Sequence, residues 1–173
     1  MLVQFHKYLG ILFNSGSTLK ADINHIKRKF YTACNGILSH CSSADEFVRL
    51  ELVKTYCLPL LNYCLGSFYM SASKVKELAV CWNDCFRRIF GFKRHESVKE
   101  LQFFCCELPF EYIYDLQKWK LITNVSKIPD KLLILYKLQN SVFNELCRKY
   151  DDNCASLFDV TQAIWNHFAR SVC

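Results

Sequence analysis

Ser73–Gly91 reads SKVKELAVCWNDCFRRIFG. Val75, Leu78, Trp82, Phe86 and Ile89 recur at steps of three and four, which puts them on one stripe of an α-helix. Polar residues fill the rest, and Gly91 is the expected stop, because glycine takes the left-handed conformation that ends helices. A chain built around such a stripe is mainly helical, and the flanking sequence keeps the same period.

Upstream, Ser43-Ala44-Asp45-Glu46 has the form of a capping box. Phe47, Leu50, Val53, Cys57, Leu61 and Cys64 continue from it as one stripe. Pro59 falls inside that stripe, and a kink is expected there because proline lacks a backbone donor and clashes with the preceding turn. Before it, Leu19, Ile23, Ile26, Phe30, Cys34 and Ile37 define a helix from about Thr18 to Ser39. Lys20, Asn24, Lys27, Tyr31 and Asn35 form its other face, with Arg28 beside them and His25 and Lys29 flanking. Val3, Phe5, Leu9, Ile11 and Phe13 alternate, and Lys7 is the exception on that face; the period of two predicts one strand. A single strand leaves its backbone groups unpaired, so a sheet partner outside this chain is expected.

Downstream, Ser97-Val98-Lys99-Glu100 is a second capping box opening a short helix, and Leu108-Pro109 opens another. Two more are expected, from about Asp130 to Tyr150 and from about Ser156 to Arg170. The expected fold is a mainly α bundle of about six to seven helices with one N-terminal β-strand. Three parts are expected: 1–16, the strand and turn; 17–124, a helical domain; and 125–173, a helical tail. The boundary lies at Asn124–Pro129, since the residue before proline leaves the helical region.

With 173 residues, 51% of them apolar, the chain can bury a core. Five Gly and three Pro are too few for a turn-rich sandwich, and no Gly-rich phosphate loop occurs. The formal charge is +6, and the whole excess lies in residues 1–100, because residues 101–173 hold eight basic and eight acidic residues. An uneven basic balance points to a polyanionic partner. Met1–Phe13 is interrupted by Gln4, His6 and Lys7 and does not read as a signal peptide. The 11 Cys are an odd number, mostly at helical core positions. They read as reduced thiols of a cytoplasmic or nuclear protein. Thr55–Ser73 carries no charge, but Pro59, Asn62, Gly66, Ser67 and Ser71 argue against a membrane span.

No constellation reads as catalytic. Cys81, Cys85, His95 and Cys105 have zinc-like spacing, but the first two sit in the strongest helical stripe and read as packing thiols. Asp151-Asp152 follows Tyr150 at a helix end and reads as an acidic turn, not a metal-holding pair. No metal and no cofactor is expected. Two basic sets remain: Lys20, Lys27 and Arg28 on the first helix, and Arg87, Arg88, Lys93 and Arg94 at and beyond the end of the third. Such faces follow a phosphate backbone without reading bases. Asp84 lies three and four residues before Arg87 and Arg88, so local ion pairs compete for that cluster.

Lys7-Tyr8-Leu9-Gly10-Ile11, the turn and the basic helix after it resemble the end of the reverse transcriptase domain of non-LTR (LINE-type) retrotransposons. Cys57-Leu58-Pro59-Leu60-Leu61-Asn62-Tyr63 and Trp82–Gly91 resemble the segments that follow there, and the likeness covers about residues 5–120. The resemblance implies that Tyr8, Leu9 and Gly10 close a polymerase palm and that a helical thumb follows. The strand is then left over from a missing palm. It further implies that the catalytic carboxylates lie upstream of Tyr8, so this chain is a truncated, non-catalytic piece. The implied partners are the backbone of an RNA–DNA or DNA duplex and the missing palm supplied in trans; no membrane is implied. Two other readings stay open: a helical protein-interaction module, and a non-functional relic of a 5′-truncated element.

Overall fold

The computed structural model describes residues 4–8, 11–15, 20–63, 65–67, 70–125, 142, 144–150 and 157–172. The chain is mainly helical, as its periodicity predicts, with eight α-helical segments among the described residues. It divides into two compact units, Met1–Tyr63 with Met70–Glu96, and Cys64–Tyr69 with Ser97–Cys173. Residues 97–124 fall in the same unit as 125–173, and 64–69 join them.

The first unit opens with β1 (Gln4–Tyr8), β2 (Ile11–Ser15) and the short β3 (Lys20–Ala21), an antiparallel sheet in that order. Tyr8 pairs with Ile11, Gln4 with Ser15, and Asn14 with Lys20. This corrects the expectation of one strand awaiting an outside partner. The chain folds back within Val3–Phe13 and supplies its own ladder, so the argument from an unpaired strand to a missing palm no longer stands. The sequence cue is Gly10, a residue favoured in tight hairpin connections, set between two alternating runs.

Helix α1 (Ile23–His40) starts five residues later than its stripe predicts. Lys20 and Ala21 belong to the sheet, and the Asp22 carboxylate caps the helix by accepting from the Asn24 and His25 amides. The Asp22 amide donates to the Leu12 carbonyl and ties the helix start to β2. The predicted second helix is broken rather than kinked. Helix α2 (Glu46–Tyr56) ends before Cys57, and α3 (Leu58–Asn62) restarts with Pro59 in its first turn, where its missing N–H costs nothing. The cap of α2 is Asp45, not Ser43.

Helix α4 (Ala72–Phe90) buries the whole predicted stripe, and Gly91 ends it at φ 72°. Trp82, Phe86 and Phe30 are fully buried, each contributing roughly 1.5–3 kcal/mol relative to exposure. Lys27 meets Glu77, Tyr31 meets Asp84, Cys34 meets Cys85 and Asn35 meets Arg88. The paired numbers rise together, so α1 and α4 run parallel. Phe47 at the start of α2 packs edge-on against Phe90 at the end of α4.

The second unit holds α5 (Lys99–Phe104), α6 (Phe110–Val125), α7 (144–150) and α8 (Leu157–Val172). A 3-10 turn at Leu65–Ser67 lies against α6 so closely that a Cβ on Gly66 would sit 2.8 Å from the Gln117 carbonyl oxygen. Phe110, Ile113, Leu146, Ile164 and Phe168 are core residues. Among them Asp115 is 7% exposed and accepts from Tyr150 Oη at 2.6 Å and Lys149 Nζ at 2.5 Å. A buried carboxylate needs such partners, since an unpaired one is expensive to desolvate.

Candidate nucleic-acid interface

The seven basic residues singled out from the sequence meet different fates. Lys27 Nζ lies 2.8 Å from Glu77. That contact holds the Glu77 carboxyl below its ordinary range, first through the hydrogen bond and then through the charge. Arg87 donates from Nη1 to Asp84 at 2.8 Å and from Nε to the Glu96 carbonyl at 3.0 Å. Its side chain is only 17% exposed, so this is a structural bond joining α4 to the segment after Gly91. Arg88 donates to Asn35 Oδ1 and bridges α4 to α1. Tyr31 donates to the other oxygen of Asp84, and burial together with Cys81 and Asp84 pushes its hydroxyl pKa upward.

Arg28, Lys93 and Arg94 are exposed, and none has a side-chain hydrogen bond or ion pair to another described residue. Lys20 lies on β3 opposite Asn14, and its side chain falls outside the described residues. Tyr8 ends β1, while Leu9 and Gly10 fall outside the described residues, as do Asp151 and Asp152.

One grouping was not read from the sequence. Lys7, on β1, is exposed, and its charge reaches His25 together with those of Lys29 and Arg28. Burial, then Lys29 and Arg28, lower the His25 pKa; Asp22 opposes them, and Lys7 adds to the lowering. Cations from two elements thus lie near one imidazole. Its Nε2 is buried without a hydrogen-bond partner among the described residues. The signal available in the sequence was the run His25 to Lys29; Lys7 joins it only because the hairpin sets β1 near the start of α1.

Cys81 and Cys85 are buried on α4, and Cys85 Sγ lies 2.8 Å from Cys34 Sγ. His95 is exposed. Among the described residues no group of three or more metal-ligating side chains converges, and no helix is long and apolar enough to cross a membrane. The chain matches no protein-family model, no curated protein and no solved structure.

Proposed function

We propose that this chain is a non-catalytic, reverse-transcriptase-like helical piece that contacts the phosphate backbone of a nucleic-acid duplex, RNA–DNA or DNA, without reading bases. The observation that carries the reading is the exposure of Lys7 and Arg28, two cations from different elements whose charges both reach His25. Converging cations on an exposed face neutralise neighbouring phosphates and release their counterions. Lys93 and Arg94 are exposed cations beyond the far end of α4 and extend the proposed contact. Lys27, Arg87 and Arg88 hold the fold and contribute less. The parent activity is RNA-directed DNA polymerisation, and its Tyr/Phe-x-Asp-Asp carboxylate hairpin is not in this sequence. The described cysteines are all free thiols, which supports a reducing compartment, cytoplasmic or nuclear.

The test is fluorescence anisotropy of a short labelled RNA–DNA hybrid, titrated with the full chain at several salt concentrations. The reading predicts micromolar binding and a log–log salt slope of about −3 or steeper, near −0.9 per phosphate contacted. Absent or salt-insensitive binding retires it in favour of a helical protein-interaction module. Phe47 (51% exposed), Val48 (52%) and Tyr56 (64%) on α2 are what favour that second reading.

A further inference from the structure

We propose that Cys34 and Cys85 are a redox modification site, converted by a small peroxide into a disulfide that staples α1 to α4. The sulfurs lie 2.8 Å apart, within about 0.8 Å of the covalent S–S length of ~2.05 Å. They come from parallel helices whose side chains already interlock at Lys27–Glu77, two turns before, and at Asn35–Arg88, within one turn after. Closing the bond therefore asks for a short approach of two packed helices. Cys57 is also buried nearby, but its charge interactions with the pair come without a bond to either sulfur, and burial followed by Cys34 pushes its thiol up to about 11.

The two thiols differ in their surroundings. The hydrogen bond shared with Cys85 lowers the Cys34 pKa, burial opposes it, and the Arg88 guanidinium lowers it further. Cys85 is pushed upward by that same bond, by burial and by the charges of Cys34 and Cys57, with Arg88 opposing. Placed against Cys85, Cys34 acts as the attacking thiolate. It displaces one oxygen of hydrogen peroxide to give the sulfenic acid, and with one proton taken up the leaving hydroxide becomes water. The Cys85 thiol then attacks the Cys34 sulfur, the S–O bond breaks, and the Cys85 proton leaves with the hydroxide as a second water. Two thiols are oxidised and one peroxide is reduced to two waters. Both residues are buried, 0% and 1% exposed, so the oxidant has to be small.

The bond would join residues 51 apart in the chain, and a loop of that size restricts the unfolded state strongly. The experiment treats the full chain with stoichiometric hydrogen peroxide, alkylates free thiols in denaturant and maps the unreduced digest by mass spectrometry. The expected result is a linked Cys34–Cys85 peptide pair, lighter by two hydrogens than the two thiol peptides. It should come with a urea midpoint raised by about 1 M or more, reversed by dithiothreitol. Cys57→Ala should keep the link. Free Cys34 and Cys85 after the exposed Cys106 has been oxidised would overturn the proposal, as would a link from Cys34 to Cys57. The wild-type map decides this without relying on a variant that has to fold, and its outcome is independent of nucleic-acid binding.

Discussion

The cations of α1 and those at the end of α4 look alike in sequence and behave differently in the fold. Arg87 has Asp84 one turn back and the Glu96 carbonyl beyond Gly91, and Arg88 has Asn35 across the helix pair. On α1, Lys27 reaches a carboxylate from α4, that of Glu77. Arg28, one residue on, points to no such group and shares its surroundings with Lys29, Lys7 and His25. A helix face is available to a polyanion only where the packed neighbour fails to neutralise it. That neighbour is 50 residues or more away in sequence for Lys27 and Arg88 alike.

The largest effect that would break this contrast is on stability. Arg87→Ala should cost about 2 kcal/mol in urea unfolding, because it removes two charge-assisted bonds and leaves the partly buried Asp84 with Tyr31 alone. Arg28→Ala should stay within about 0.5 kcal/mol. Equal costs would erase the distinction. Next, Lys7→Ala with Arg28→Ala should weaken hybrid binding about tenfold at low salt, near 1.4 kcal/mol, and flatten the salt slope by almost 2.

The Asp84 cluster also makes a pH prediction. Tyr31 has a raised pKa in the folded state, so above about pH 10 the unfolded chain loses a proton that the folded chain keeps. The unfolded state then binds fewer protons, and stability falls as pH rises, by up to about 1.4 kcal/mol per pH unit for a fully protected hydroxyl. Partial exposure makes the effect of Tyr31 smaller than that. Tyr150, raised by burial and by Asp115, does the same in the second unit. Tyr31→Phe should reduce the alkaline loss in pH-dependent urea unfolding, and an unchanged profile would assign it elsewhere. The smallest effect is for Lys27→Ala: its pair with the exposed Glu77 is screened by water, and the urea midpoint should match that of the wild type.

Much of the helical framework was legible because it rests on local rules. Val75, Leu78, Trp82, Phe86 and Ile89 are all buried, Gly91 ends α4, and Pro109 precedes α6. What escaped was set by pairing at a distance. One alternating run became a hairpin because a strand takes the nearest ladder, here residues 11–15. Lys20 left the helix for the sheet by the same logic. The Cys34–Cys85 pair and the buried Asp115 with Lys149 and Tyr150 join residues 51, 34 and 35 apart, and no spacing rule reaches that far. Of the candidate interface, Arg28 was found from its helix face. Lys7 was passed over because its value depends on where β1 lies.

The most direct test of the central claim compares salt slopes for the hybrid across three full-length proteins: wild type, Lys7→Ala with Arg28→Ala, and Lys27→Ala with Arg88→Ala. The account predicts a slope smaller by nearly 2 in the first variant and nearly unchanged in the second. Equal losses in both, or a loss confined to the second, would contradict it.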